Sequence, residues 1–161
     1  MSLPPIRLAD AAATLAFGRR LAASLQPGDV VMLEGGLGAG KTTLARGLLR
    51  GLGLAGEAPS PTFAIVQGYE PPETRLPLAH VDLYRLEHEG ELEELGLDDW
   101  LAQGCLVIEW PDRLGGLYAD MALALRLDPV PDGARLLPAP DGARLLTARV
   151  PPAWGGRWPP R

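Results

Sequence analysis

The chain contains no asparagine, a single lysine and a single cysteine. Without asparagine it cannot carry the Asn-Lys-x-Asp segment by which GTPases normally read guanine. The lone Cys105 excludes an intrachain disulfide and points to a reducing compartment, which makes a cytoplasmic location the expectation. Long apolar runs are also missing. Nothing approaches the roughly 18 residues that a membrane-spanning helix needs, so no membrane role is expected. The start, Met1-Ser2-Leu3-Pro4-Pro5, lacks the charged residue and apolar stretch of a secretory signal and is not read as one. Positive charge is scarce: fifteen Lys and Arg face twenty Asp and Glu, a net charge of −5. That balance disfavours a nucleic-acid binder working through bulk positive charge.

What is present is an ordinary globular composition, 47% hydrophobic and 22% charged over 161 residues, enough for one domain with a real core. Residues 1–150 are expected to form it. Residues 151–161 hold four prolines, two glycines and two tryptophans, which predicts an irregular tail. Fourteen of the fifteen basic residues are arginine, and the one lysine is Lys41.

Lys41 falls in Gly35-Gly36-Leu37-Gly38-Ala39-Gly40-Lys41-Thr42, which fits G-x-x-x-x-G-K-[ST]. The apolar run Val30-Val31-Met32-Leu33 before it reads as a buried strand, and Leu44-Ala45-Arg46-Gly47-Leu48-Leu49 after it reads as a helix. In that setting glycines let backbone N–H groups turn toward phosphate oxygens, and the helix aims its N-terminal dipole at the same anion. Lys41 can reach the β- and γ-phosphates, and the Thr42 hydroxyl can take a place on Mg²⁺.

Around this loop the chain reads as strands alternating with helices. Asp10 is placed to cap a helix whose apolar stripe is Leu15, Gly18, Leu21, Ala22 and Leu25. Pro59-Ser60-Pro61-Thr62 is held extended by its prolines. It is either a stiffened connection or a switch whose hydroxyls sense metal and γ-phosphate. The runs 63–66 and 76–82 are expected to pair antiparallel. Asp82, at the end of an apolar strand, is a turn residue or a Mg²⁺ carboxylate, and the upstream loop favours the second. His80, Asp82 and Tyr84 share a face of extended chain.

Residues 87–94 read as an acidic helix, and another turn of helix starts near Asp98. His88 has no second ligand at metal spacing and reads as a surface residue. Cys105-Leu106-Val107-Ile108 is a central strand, with Cys105 as core filler. The strand delivers Glu109, a second carboxylate suited to holding metal through water or to positioning the attacking water. Residues 121–127 and 144–150 form a C-terminal hairpin. Between them Pro131-Asp132-Gly133-Ala134-Arg135-Leu136-Leu137 recurs nine residues later as Pro140-Asp141-Gly142-Ala143-Arg144-Leu145-Leu146. An odd offset exchanges strand faces, so one copy is expected to pair with the 121–127 strand and the other to form a loop.

Four segments together resemble the TsaE (YjeE) family, the ATPase subunit of bacterial tRNA threonylcarbamoyladenosine synthesis. They are Leu37-Gly38-Ala39-Gly40-Lys41-Thr42-Thr43, Ser60-Pro61-Thr62-Phe63, His80-Val81-Asp82-Leu83-Tyr84-Arg85-Leu86 and Ile108-Glu109-Trp110-Pro111. The resemblance implies an α/β, P-loop NTPase-like, three-layer fold on a mixed, mainly parallel sheet, binding ATP with Mg²⁺. It implies that Gly38, Ala39, Gly40, Lys41, Thr42 and Thr43 hold the phosphates and that Thr42, Glu109 and Asp82 serve the metal. Thr62 would act in the switch, Trp110 would close the site, and Ala11 would approach the adenine. It further implies a two-protein threonylcarbamoyl transferase of the TsaB and TsaD type as partner, with tRNA met through that complex. Gly36 departs from the family, which usually has Asp there. The rivals are a small P-loop kinase, disfavoured because no arginine-bearing lid is visible, and a nucleotide switch without significant hydrolysis. Among Arg75, Arg85 and Arg113 none is clearly an arginine finger, so hydrolysis by the chain alone is expected to be slow.

Overall fold

A computed structural model describes residues 3–59, 61, 65–130 and 142–161. The chain runs β1 (Ile6–Leu8), α1 (Ala11–Ala22), β2 (Val30–Glu34), α2 (Lys41–Gly51), β3 (Val66–Tyr69), β4 (Leu78–Asp82), α3 (Glu89–Glu94), α4 (Leu97–Gln103), β5 (Cys105–Glu109), β6 (Leu123–Pro129) and β7 (Arg144–Arg149). The seven strands make one sheet in the order β1-β7-β6-β2-β5-β4-β3. β4, β5, β2 and β6 are parallel, while β3, β7 and β1 join through antiparallel pairings. This is the mixed α/β sheet expected of a P-loop NTPase-like fold.

Strand alternation sorts the core into two layers. Val31 and Leu33 of β2, Leu78 of β4, and Cys105 and Val107 of β5 pack toward α1 and α2. Val30, Met32, Ala79, Val81, Leu106 and Ile108 form the opposite cluster, with Leu92, Leu95 and Trp100 of the α3 and α4 region against it. β5 is buried throughout and lies between β2 and β4, as its continuous apolar run requires. At its start, Cys105 donates its thiol to the Gln26 carbonyl at 3.2 Å, and burial pushes that thiol up to about 12.

α1 begins where expected, the Asp10 carboxylate accepting the Ala13 N–H at 2.8 Å. α1 and α2 then approach closely enough to exclude side chains. A Cβ on Gly18 would lie 2.4 Å from the Leu44 carbonyl oxygen, and one on Gly47 would lie 2.2 Å from that of Leu15. These contacts fix the direction of α2 and hence the loop at its start.

β3 and β1 differ from the sequence expectation, while the hairpin pairs one heptapeptide copy as expected. The strand expected over 63–66 is found as β3, Val66–Tyr69, where Gly68 lets the Trp100 ring lie against the backbone; residues 62–64 fall outside the described residues. β1 was not foreseen, because three residues are too few to show a period. In the hairpin, Arg144, Leu145 and Leu146 of the second heptapeptide copy pair with Pro129, Asp128 and Leu127, while the first copy lies outside the described residues. The tail makes a single 3-10 turn at Pro152–Trp154 and docks on the core. Trp154 is fully buried there, and Arg157 bridges to Asp29 at 2.7 and 3.1 Å.

Gly47→Ala is expected to lower stability by about 1–3 kcal/mol, the usual cost of overpacking. Urea unfolding checks this, as a shifted midpoint at unchanged m-value.

Candidate functional site

The same alternation that builds the core places the polar groups. Glu109 continues the β5 face of Cys105 and Val107, and His80 and Asp82 continue the β4 face of Leu78. All three therefore emerge on the layer where α2 starts, beside Thr42. The result is direct contact between distant segments: the Thr42 hydroxyl donates to Glu109 Oε1 at 3.0 Å, and His80 Nε2 donates to Oε2 of the same carboxylate at 2.6 Å. Glu109 is 2% exposed and Asp82 8%. Asp82 Oδ1 accepts the Tyr84 N–H at 3.0 Å, which turns the chain at the end of β4.

The glycine-rich loop closes around Lys41. Its ammonium donates to the carbonyls of Gly35 at 2.6 Å and Gly36 at 2.9 Å. The Trp110 ring lies 3.8 Å from the same nitrogen, and Tyr84 packs against that ring with centroids 4.9 Å apart. Trp110 itself sits at φ 59, a left-handed conformation unusual for a bulky residue, at the step from β5 into the 3-10 turn Pro111–Leu114. Gly40, at φ 101, opens α2 in a conformation that glycine adopts without cost. Burial lowers the Lys41 pKa below its ordinary value, and the charges of Glu109, Asp82 and Asp112 act in the opposite direction.

A cavity of about 420 Å³ is lined by Leu37, Gly38, Ala39, Gly40, Lys41, Thr42, Thr43, Asp82, Tyr84, Arg85, Glu109 and Trp110. Most of the residues singled out in the sequence thus meet on one hollow. Ala11 does not line it. It stands at the start of α1, and Thr14, one turn on, is the α1 residue that reaches Gly40. Thr62 and Ser60 lie outside the described residues. Of the three arginines weighed earlier, Arg85 lines the cavity, whereas Arg75 donates to the Ala22 carbonyl and Arg113 to that of Leu86.

Sequence reasoning gave His80 a face but no partner, although its alternation with Asp82 was the available signal. His88 is exposed, as expected of a surface residue, but at the start of α3 its ring lies within 4.8 Å of carboxylate oxygens of Glu87 and Glu91, neighbours the sequence spacing did not suggest. None of these three lines the cavity. A hydroxyl and two carboxylates form a hard oxygen donor set, the chemistry that suits Mg²⁺. The loop N–H groups and Lys41 suit phosphate.

A family model described as "Threonylcarbamoyl adenosine biosynthesis protein TsaE" matches residues 8–136. The tRNA threonylcarbamoyladenosine biosynthesis protein TsaE of Streptomyces coelicolor is 47% identical over 112 residues, covering 69% of this chain and 76% of that protein. The protein of the same name from Synechocystis is 46% identical over 112 residues, covering 66% and 69% respectively. Among solved structures, YdiB of Bacillus subtilis aligns with a TM-score of 0.71 at 29% identity, covering 98% of this chain and 90% of that one. Among the described residues no helix is long and apolar enough to cross a membrane.

Desolvation raises the Asp82 carboxyl above its ordinary value, and the Tyr84 N–H pulls it the other way. A raised carboxyl binds its proton more tightly when folded than when unfolded. Stability is therefore lost as pH rises through the ordinary carboxylate range toward the folded value, and the cost is complete at neutral pH. Asp82→Asn should raise the unfolding midpoint of the ligand-free protein at neutral pH, by a margin that vanishes under acid conditions. Thermal unfolding of both proteins between about pH 3 and 7 checks the sign.

Proposed function

The chain belongs to the TsaE family of threonylcarbamoyl adenosine biosynthesis proteins, and on that premise we propose that it is a Mg²⁺-dependent ATPase. Its role in this reading is to support turnover of a two-protein threonylcarbamoyl transferase of the TsaB and TsaD type, in the cytoplasm. The tRNA is met through that complex. The observation that carries the reading is the meeting of Lys41, Thr42, Asp82 and Glu109 on the cavity formed by the glycine-rich loop.

Each residue has a distinct task. Residues 38–43 cradle the phosphates of ATP through their backbone N–H groups. Lys41 exchanges the carbonyls of Gly35 and Gly36 for phosphate oxygens, a move that its flexible stem permits. Thr42, Asp82 and Glu109 would hold Mg²⁺, which when bound supplies charge neutralisation between the β- and γ-phosphates. His80 fixes the orientation of the Glu109 carboxylate from behind. Trp110, now stacked over the Lys41 ammonium, closes over the nucleotide once the lysine has moved. Thr62 completes the site as the γ-phosphate sensor. Water attacks the γ-phosphorus, the bond to the β-phosphate oxygen breaks, and ADP and inorganic phosphate leave.

Hydrolysis by the chain alone is expected to be slow, because an added arginine finger is worth roughly 10³–10⁵ in rate and the transferase complex is the source of stimulation. Single-turnover hydrolysis with and without that complex checks this, and fast turnover of the isolated chain overturns it. Lys41→Ala should weaken ATP binding by about 10–100-fold, the loss expected for charge-assisted hydrogen bonds of ~1.5–3 kcal/mol. Calorimetric titration with ATP reads it, and unchanged affinity overturns the assignment of the loop. Glu109→Gln should retain ATP binding and lose hydrolysis.

A further inference from the structure

Arg144 is 3% exposed and lies on β7, more than a hundred residues from the loop it touches. Its Nε donates to the Ala39 carbonyl at 3.0 Å, and one terminal nitrogen donates to the Gly38 carbonyl at 2.9 Å. The other terminal nitrogen donates to the carbonyls of Gly142 at 2.9 Å and Ala143 at 3.2 Å. One guanidinium therefore joins the apex of the glycine-rich loop to the entry of the C-terminal strand. The family match ends at residue 136, before this strand begins.

The geometry points to Arg144 as the positioning residue of the phosphate-binding loop. A trans peptide turns the C=O of one residue and the N–H of the next in opposite directions. Holding the Gly38 and Ala39 carbonyls on the guanidinium therefore turns the N–H groups of Ala39 and Gly40 away from it. In the present structure the Ala39 N–H uses that direction to reach the Gly36 carbonyl at 3.2 Å. Residues 38–40 line the cavity, so an anion bound there meets the loop in the shape the guanidinium holds and takes the Ala39 N–H from the Gly36 carbonyl. The loop has few other means of holding this shape. Its glycines are conformationally free, and Lys41 has to leave its carbonyls for a phosphate to be bound. Arg144 does not itself line the cavity; it reaches the site through the carbonyls of Gly38 and Ala39, and its buried positive charge adds to the attraction for an anion.

This inference rests on the nucleotide-binding reading, and its test separates the two. Calorimetric titration with ADP and with ATP is run on the wild-type chain, Lys41→Ala, Arg144→Gln and Arg144→Lys, with concentrations corrected for the folded fraction by circular dichroism. Arg144→Gln is expected to raise both dissociation constants together by about tenfold, or about 1.4 kcal/mol, leaving kcat at saturating ATP within a few-fold. Arg144→Lys keeps the charge and folds with one carbonyl satisfied, so its affinity falls between the two. Loss of binding in Lys41→Ala with wild-type affinity in Arg144→Gln, or full rescue by lysine, overturns the role of the fork alone. A drop in kcat at unchanged affinity also overturns it. A wild-type chain that binds neither nucleotide overturns both readings.

Discussion

The site depends on one buried carboxylate. Glu109 is almost fully removed from water and accepts from Thr42 on one side and His80 on the other. A buried charge persists only where it is hydrogen-bonded or paired, and these two donors come from elements that share no local sequence. β5 brings the carboxylate, α2 the hydroxyl and β4 the imidazole. Their meeting requires that the three elements stand at a particular register, which the parallel pairing of Asp82 with Glu109 and the close packing of α1 on α2 provide. Core packing and site geometry are thus one constraint seen at two places.

The same network gathers energetic costs in one place. Burial disfavours the charged forms of both Lys41 and Asp82, and Trp110 occupies backbone space that a bulky residue seldom enters. These costs sit together around one cavity, and the surroundings that hold them in place are conventional: two apolar layers, a glycine-paired helix interface and a tail pinned by Trp154 and Arg157. Electrostatic cost concentrated at a hollow while the rest of the molecule is well packed supports the proposal that the hollow takes a charged ligand. The loop carbonyls and the Trp110 face are what satisfy Lys41 in this structure.

Legibility in the sequence followed the range of each interaction. The strand–loop–helix around Lys41 was plain, because the glycine spacing and the apolar flanks lie within twenty residues. Glu109 and Asp82 were legible as the polar ends of apolar runs, and alternation told which face Asp82 shares with His80. The antiparallel β3–β4 pair was foreseen, but β3 begins only at Val66, because Ile65 stands at φ 62 and breaks the extended chain there. His80 showed its face and not its partner. Arg144 showed nothing, because a guanidinium bonded to backbone carbonyls across the fold leaves no trace in local pattern, and its membership in a repeated heptapeptide drew attention to turns instead.

That last residue has a counterpart in the one lysine of the chain. A protein with fourteen arginines and one lysine sets one of each on the same loop, and the two cations satisfy different carbonyls for different ends. Lys41 holds Gly35 and Gly36 from within, as a point charge on a flexible stem that can let go. Arg144 holds Gly38 and Ala39 from behind, as a rigid fork whose several donors are engaged at once and have no reason to leave. Exchanging them would fail at both positions. In the nucleotide-binding reading, a guanidinium inside the loop would be too broad and too firmly bonded to transfer to a phosphate, and an ammonium behind it would have too few donors for the carbonyls of Gly38, Ala39, Gly142 and Ala143. On that reading the loop keeps its shape while its central cation moves, which calls for both kinds of positive charge, and the arrangement here supplies one of each.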